Sequence, residues 1–283
     1  MPDKTLETLI TLALEEDVGT GDVTTLWTVE KGARGNAQVV AKAPVVVAGM
    51  KAARAVFHRV DSSLDLQAEA SDGSAVEPGG VILGIRGSLR SILTGERIAL
   101  NFLGRLSGIA TLTRRFVEAV EGTGATILDT RKTTPGWRVL EKEAVLAGGG
   151  GNHRRGLHDM VLVKDNHIRA AGGIRRAVEG VRQENQRNLP VEVEVVNLAE
   201  LDEALDAAVD RVLLDNMSVE EMAIAVQRVR ALGAGRPLVE ASGNMTLDRI
   251  RTVAETGVDL ISVGALTHSA PNADLSLRVL GRP

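Results

Sequence analysis

The sequence predicts an α/β protein with an amino-terminal α+β layer followed by a barrel-like domain of alternating strands and helices. Six short apolar runs alternate with helical patterns after residue 120, and polar residues follow nearly every run. Aromatic residues make up only 2% of the 283 residues. The core must therefore be aliphatic, which suits buried parallel strands.

The amino-terminal part mixes helical and strand patterns unevenly. A long helical pattern covers 89–121, and a break is expected near Gly104 or Gly108. We assign residues 1–105 to this domain, on which the carboxyl-terminal tail, 271–283, can pack. The other predicted elements are helices over 5–16 and 49–60 and strands over 36–42, 64–70 and 81–85.

The second domain, residues 106–270, has the rhythm of parallel βα units, because strand and helical patterns alternate over short connections. The strands are predicted over 125–128, 160–163, 191–195, 212–214, 238–240 and 260–263. The helices between them are predicted over 139–147, 174–187, 199–208, 219–232 and 247–255.

Polar residues cluster at the carboxyl ends of these strands, and this feature distinguishes a barrel from a doubly wound sheet. A barrel gathers the ends of all its strands around one mouth, whereas a doubly wound sheet collects only those near its switch point. Because nearly every strand contributes, we predict a barrel. The strand-end positions are 129–132, 164–165, Glu194, 215–216, 242–244 and Gly264.

Composition excludes several classes of protein. The chain has no cysteine, which removes disulfide frameworks, cysteine nucleophiles and thiolate metal sites. A formal net charge of −4 does not favour non-specific binding to nucleic acid. The first ten residues lack the apolar stretch of a signal peptide, and the longest apolar runs are far shorter than the roughly 20 residues that span a bilayer. We expect a soluble cytoplasmic protein.

Basic residues at the predicted mouth are candidates for anion binding. Arg131 and Lys132 lie among hydroxyl residues in 129–136, a strand-to-helix turn of the kind that binds anionic oxygens. Arg154 follows a run of glycines that allows close backbone approach to a ligand. Plainer interpretations are a solvated loop with capping threonines and a flexible lid. Lys164 is either a functional cation or an ordinary strand-end residue.

Carboxylates are predicted at the same mouth. Alternation along the third strand places Glu192 and Glu194 on one face, inside the barrel, where an unpaired carboxylate is costly. Asp215 ends the next strand, and Lys164 and Lys132 are candidate partners. Carboxylates beside arginine and lysine suit Mg²⁺ with phosphates better than zinc, and the five histidines show no zinc-site spacing.

Two stretches at the last strand ends, 240–244 and 262–265, offer backbone amides before helices. In barrels this is a usual phosphate site, although either loop alone is also consistent with plain turn chemistry. Together with the cations and carboxylates, these loops predict a site for a polyanion that carries both phosphate and carboxylate, bound with Mg²⁺.

Nine segments occur in the order of a known family and cover almost the whole chain. They are ALEEDVGTGDVTT (13–25), GERIALNFLGRLSGIAT (95–111), DTRKTTPGWR (129–138), GGGGNHR (148–154), VKDNH (163–167), VEVEV (191–195), LLDNM (213–217), EASGN (240–244) and SVGALTHS (262–269). The sequence thereby resembles the quinolinate phosphoribosyltransferase family, the carboxylating nicotinate-nucleotide pyrophosphorylases. That family usually has a second glycine where Asn244 stands.

The resemblance implies an amino-terminal α/β sandwich, an open (β/α) barrel and a homodimer in which Arg97 reaches the neighbouring subunit's site. It implies transfer of phosphoribose from phosphoribosyl pyrophosphate to quinolinate with decarboxylation, in de novo NAD biosynthesis. The products would be nicotinate mononucleotide, pyrophosphate and CO₂.

The same resemblance assigns roles to individual residues. The carboxylates of quinolinate would be bound by Arg131, His153, Arg154 and Lys164. Lys132, Glu194 and Asp215 would be the catalytic residues and would hold phosphoribosyl pyrophosphate, with Mg²⁺ on Glu194 and Asp215. The ribose phosphate would be bound by Ser242, Gly243, Asn244, Val263 and Gly264, and Thr130 would be a further substrate-binding residue.

Two alternatives stay open. A related phosphoribosyltransferase could use another pyridine or azole acid, although Arg97, Arg131 and Arg154 together favour a dicarboxylate. The family also resembles molybdenum-transport-associated proteins, which suggest a binding function without turnover. The complete basic set speaks against that second alternative.

Overall fold

The computed structural model describes residues 2–280, so Met1 and the end of the predicted tail, 281–283, lie outside it. The helices are α1 (Pro2–Asp17), α2 (Val23–Thr28), α3 (Met50–Val60), α4 (Leu89–Ala119), α5 (Arg138–Ala147), α6 (Asp165–Ala171), α7 (Ile174–Glu184), α8 (Leu198–Asp206), α9 (Val219–Ala231), α10 (Leu247–Glu255) and α11 (Ala265–His268). The strands are β1 (Arg34–Ala41), β2 (Val45–Val46), β3 (Asp65–Ala68), β4 (Ala75–Val76), β5 (Val81–Ser88), β6 (Thr126–Leu128), β7 (Val161–Val163), β8 (Val191–Val195), β9 (Arg211–Asp215), β10 (Leu238–Ser242), β11 (Leu260–Ser262) and β12 (Leu275–Val279).

The chain forms two compact units, each of which is discontinuous in sequence. The first comprises Met1–Arg114, Thr133–Gly149 and Ser269–Pro283, and the second comprises Arg115–Lys132 and Gly150–His268. The segment with α5 therefore belongs to the first unit, although it lies between two strands of the second. The continuous domains of 1–105 and 106–270 stay a prediction.

The first unit is built on an antiparallel sheet with the strand order β12-β1-β5-β3. Strand β1 pairs with β12 on one side, Ala37 facing Val279, and with β5 on the other, Ala37 facing Ile85. Helix α3 buries Val56 and Phe57 completely. An apolar stripe along an otherwise polar helix is the expected pattern for a helix that buries one face in a core.

Helix α4 continues without interruption from Leu89 to Ala119, so the predicted break near Gly104 or Gly108 is wrong. These glycines permit close packing instead of ending the helix. A Cβ on Gly108 would lie 1.9 Å from the Pro271 carbonyl oxygen, and the Gly104 carbonyl accepts a 2.8 Å hydrogen bond from the Ala273 amide. The helix therefore needs residues without side chains where the carboxyl-terminal segment crosses it.

The second unit is a parallel sheet with the strand order β6-β11-β10-β9-β8-β7, and its strands correspond to the six that the sequence predicts. Because β6 and β7 stand at opposite ends of this order, the barrel is open. Strand β8 is aligned with β9 so that Glu192 faces Arg211, and β9 with β10 so that Asp215 faces Ser242. The predicted α/β fold class is confirmed.

The helices of the second unit follow their strands as expected for βα units. Their apolar faces are buried, as in α9, where Met222, Ala225, Val226 and Val229 point into the core. Among the residues described, no helix combines the length and apolarity that crossing a bilayer requires.

Gly108→Ala is expected to destabilise the protein by about 1–3 kcal/mol, because the new methyl group would overlap the backbone that crosses α4. Gly180→Ala on α7 is the matched control, since nothing lies within 4 Å of its added Cβ. That control should raise stability by up to about 1 kcal/mol through helix propensity. Urea denaturation measures both, and equal effects of the two substitutions would contradict this account of α4.

Candidate active site

A cavity of about 720 Å³ opens in the second unit at the carboxyl ends of the barrel strands. The residues that line it include every predicted site residue except Arg97, Val263 and Gly264. Leu162 and Leu213 were not predicted to lie at the site, and Asn216, Glu240 and Ser262 belong to the predicted strand-end segments but were given no individual role. The full lining consists of Thr130, Arg131, Lys132, His153, Arg154, Leu162, Lys164, Glu194, Leu213, Asp215, Asn216, Glu240, Ser242, Gly243, Asn244 and Ser262.

Two arginines bring positive charge to this cavity. Partial burial and the nearby charge of Arg131 both lower the pKa of Arg154. The Arg154 guanidinium also donates a 3.2 Å hydrogen bond to the Met160 carbonyl, which ties its side chain to the start of β7. Cations held close enough to repel each other produce a strong local field for an anion.

Lys164 and Glu194 form an ion pair across adjacent strand ends. The backbone of Lys164 caps α6, and its amide donates a 3.0 Å hydrogen bond to Nδ1 of His167. This cap fixes the point at which the side chain leaves the strand. Glu194, whose side chain is 11% exposed, is thus a cavity carboxylate with its own counter-charge.

Asp215 is held by an amide relay at the rim. Asn216 Nδ2 donates a 3.0 Å hydrogen bond to Asp215 Oδ2, and Asn244 Nδ2 donates a 3.1 Å bond to Asn216 Oδ1. The relay connects the carboxylate that ends β9 with the loop that follows β10. The sequence placed Asn216, which has a positive φ of 54°, at the predicted mouth but gave it no role. Its position directly after a strand-end aspartate was the available signal.

The backbone of the 242–244 loop accommodates Asn244, at the position where the resemblance leads us to expect glycine. Asn244 has φ 50° and Gly243 has φ 92°, both in the left-handed region. Asparagine tolerates that region better than other residues with a side chain. A Cβ on Gly243 would lie 2.1 Å from Asn216 Oδ1 and would displace that side chain, and φ 92° would strain any residue other than glycine.

Three predicted site residues lie outside the lining of the cavity. Arg97 is exposed on α4. The Val263 amide donates to the Leu128 carbonyl at 2.9 Å, so that N–H bonds within the sheet rather than facing the cavity. At Gly264 a Cβ would lie 3.1 Å from Lys132 Cδ, so glycine lets the lysine side chain pass close to the backbone.

Glu192 and Glu240 form a fully buried pair of carboxyl groups, of which Glu240 lines the cavity. His153 Nε2 lies 3.0 Å from Glu192 Oε2 and 3.5 Å from Glu240 Oε1. Arg211 Nη1 donates to Glu240 Oε2 at 3.0 Å. Burial raises the pKa of both glutamates to about 7, the nearby Glu192 charge adds to the rise at Glu240, and the Arg211 charge partly offsets it at both.

Two sets of side chains could bind a metal ion. The ligand atoms of His153, Glu192 and Glu240 lie within 4.8 Å of one another, but Arg211 already supplies positive charge to both carboxylates. Glu194 and Asp215, which line the cavity itself, offer the hard oxygen ligands that Mg²⁺ prefers. The second set fits an ion that binds together with a phosphorylated ligand.

Cations, opposing carboxylates and a glycine-containing loop at the carboxyl ends of barrel strands define a (β/α)-barrel protein that binds anionic substrates. The family model "Quinolinate phosphoribosyl transferase, C-terminal domain" matches residues 109–278, and the corresponding N-terminal domain model matches residues 22–107. The chain belongs to the quinolinate phosphoribosyltransferase family.

Individual relatives agree with this assignment. A Synechocystis protein named "Probable nicotinate-nucleotide pyrophosphorylase (carboxylating)" is 46% identical, over 94% of this chain and 90% of the relative. "Quinolinate phosphoribosyltransferase (decarboxylating) 1" of Nicotiana glauca is 44% identical, over 98% and 83%. The solved nicotinate-nucleotide pyrophosphorylase of Francisella tularensis is similar with a TM-score of 0.93 and 40% identity, covering 99% of this chain and 97% of that one.

The raised pKa of Glu240 predicts a pH-dependent stability. Its value of about 7 in the folded protein exceeds the usual 4.5, so between these pH values the folded state binds more protons than the unfolded chain. The stabilising contribution is complete below about pH 4.5 and is lost as the pH rises through about 7. Raising the pH from about 5 to about 8 should therefore destabilise the wild type relative to Glu240→Gln. Urea denaturation checks this, and a pH-independent difference would contradict it.

The left-handed backbone at Asn244 predicts that glycine is tolerated at this position and that alanine lowers stability. Asn244→Gly should keep the loop with little change in stability, whereas Asn244→Ala should be about 1 kcal/mol less stable than the glycine variant, because alanine is strained at φ 50°. Both substitutions remove the amide, so comparing their thermal unfolding isolates the backbone effect. Equal stability of the two variants would show that the loop relaxes.

Proposed function

We propose that the protein is a quinolinate phosphoribosyltransferase of de novo NAD biosynthesis. It converts quinolinate and phosphoribosyl pyrophosphate to nicotinate mononucleotide, pyrophosphate and CO₂. The observation that carries the proposal is one cavity in which several cations surround two carboxylates. These cavity residues are Arg131, Lys132, Arg154, Lys164, Glu194 and Asp215.

The cations provide a binding site for a planar dicarboxylate. Quinolinate carries two adjacent carboxylates, and guanidinium groups bind such planar anions through paired hydrogen bonds. Arg131 and Arg154 repel each other in the protein, and a dianion between them would relieve that repulsion. The role that the resemblance gives to Lys164, which lines the same cavity, completes this proposed acid-binding site.

The transfer step needs the anomeric carbon of phosphoribosyl pyrophosphate placed against the ring nitrogen of quinolinate. The C–O bond to pyrophosphate breaks, its electron pair leaves with pyrophosphate, and the nitrogen lone pair forms the new C–N bond. Asp215 and Glu194 face the cavity and would stabilise positive charge that develops on the ribose. Lys132 would bind the diphosphate, while 242–244 and Gly264 hold the ribose phosphate.

Decarboxylation follows from the first step without a further cofactor. The ribosylated ring nitrogen is cationic, so it can hold the electron pair that remains when the adjacent carboxylate leaves as CO₂. A proton then replaces the carboxylate on the ring carbon. The protein must release the carboxylate that leaves as CO₂ while it stays bound to the second carboxylate. Separate contacts for the two carboxylates would allow this.

Mg²⁺ is part of the proposal. Asp215 and Glu194 have the right chemistry to hold it, directly or through water, together with the substrate's phosphates. When bound, the ion would neutralise charge on the departing pyrophosphate. Because Glu194 already pairs with Lys164, Asp215 is expected to be the main protein ligand.

A homodimer with a shared site and a cytoplasmic location complete the proposal. Arg97 lies exposed on α4 and is absent from the lining of its own chain's cavity, which leaves it available to a neighbouring subunit. Location varies within the family, since rice and tobacco relatives are named chloroplastic and mitochondrial.

The direct test is an incubation of the purified protein with Mg²⁺, phosphoribosyl pyrophosphate and quinolinate, with nicotinate as the control acid. We expect nicotinate mononucleotide and CO₂ from quinolinate and no product from nicotinate. Product from nicotinate alone would contradict the dicarboxylate assignment. Binding of both substrates without turnover would favour a binding protein instead.

Hybrid dimers test the shared site. Arg97→Ala and Lys132→Ala should each abolish turnover while the fold and the dimer persist. An equal mixture, after subunit exchange, should recover roughly a quarter of wild-type activity, because half of the dimers are hybrids with one native site of two. Size-exclusion chromatography with two different tags verifies that hybrids form. No recovery in verified hybrids would overturn the shared site.

A further inference from the structure

A cluster of charged residues at the base of the cavity has no role in the proposed reaction, yet it is built from three adjacent strands. Glu192 lies on β8, Arg211 on β9 and Glu240 on β10, and both carboxyl groups are fully buried. Glu240 lines the cavity, whereas Glu192 and Arg211 do not. Burial of this much charge is costly, so a set of groups serving only stability would be better replaced by apolar residues.

His153 connects this cluster to the cavity. Its backbone amide donates a 2.9 Å hydrogen bond to Asp129 Oδ1. Ring atom Nδ1 accepts a 2.8 Å bond from the Arg154 amide, which requires that Nδ1 carry no proton. The proton therefore sits on Nε2, which points to Glu192 and Glu240. Both ring nitrogens are thus engaged within the protein.

The charges around the cluster argue against a metal ion at this place. Arg211 Nη1 lies 3.0 Å from Glu240 Oε2, and Arg211 Nε lies 3.9 Å from Glu192 Oε1. A divalent cation among the same carboxylates would face this guanidinium at close range. The arrangement fits a framework that orients an imidazole better than it fits a metal site.

We propose that Glu192, Glu240 and Arg211 are positioning residues that lock His153 in its Nε2-protonated form, and that His153 in turn positions Arg154 for quinolinate. His153 would act through the Arg154 backbone rather than as a ligand of the substrate carboxylate. This inference rests on the proposed function, because it assigns Arg154 to quinolinate. It departs from the role that the family resemblance gives to His153.

The first test separates the two substrates kinetically. Glu192→Gln keeps the shape of the side chain, but an amide cannot present acceptor oxygens both to His153 and towards Arg211. We expect the KM for quinolinate to rise about tenfold or more, while the KM for phosphoribosyl pyrophosphate changes less than about twofold. Asp259→Asn is the matched control, because it breaks a partly buried ion pair with Arg236, away from the cavity lining.

The outcomes of this test are distinct. The control should lower thermal stability and leave both KM values unchanged. An unchanged quinolinate KM in Glu192→Gln, or equal changes in both KM values, would overturn the positioning role. Absence of turnover in the wild type would instead refute the proposed function, and the second test is independent of turnover.

The second test measures by NMR which ring nitrogen of His153 carries the proton, in the full-length protein without substrates. The ¹⁵N resonances of His153, assigned by their loss in His153→Asn, should show an unprotonated Nδ1 and a protonated Nε2 in the wild type. Glu192→Gln should broaden or shift them towards a mixture of tautomers. A protonated Nδ1 in the wild type would overturn the proposal, even if no Glu192 variant could be purified.

Discussion

The functional site depends on one electrostatic constraint, which is that positive charge must be fixed in place before two anionic substrates can lie side by side. Arg131 and Arg154 are close enough for the first to lower the pKa of the second. Such an arrangement opposes folding unless the surrounding structure holds it. The carboxylates of Glu194 and Asp215 at the same mouth reduce the net charge, and Glu194 also fixes Lys164.

The open barrel satisfies this constraint because each parallel strand delivers its last residues to the same end. Strand β8 contributes twice: Glu194 reaches the cavity, and Glu192, two residues earlier on the same inward face, lies buried below it. On β9, Arg211 at the start of the strand forms an ion pair with Glu240, whereas Asp215 at its end lines the cavity. The barrel thus has polar residues that line the cavity and, further down the same strands, a second polar layer that includes Glu192 and Arg211.

Local patterns were sufficient to predict the six barrel strands and the clustering of Lys164 and Asp215, because both depend on periodicity and on strand ends. Other features depend on contacts between residues distant in sequence. The continuity of α4 through Gly108 follows from a backbone that crosses it more than 150 residues later. Glu240 looked like a strand residue beside a loop, and only the pairing of β10 with its neighbours reveals that it shares a buried site with Glu192.

The most direct test of the central claim is a calorimetric titration of quinolinate and of nicotinate into the wild-type protein, in the presence of Mg²⁺ and pyrophosphate. The fixed cations predict that the dicarboxylate binds at least about tenfold more tightly than the monocarboxylate. Arg154→Ala should remove most of that preference. Equal affinities for the two acids would contradict the account, because the clustered charges would then serve no dicarboxylate.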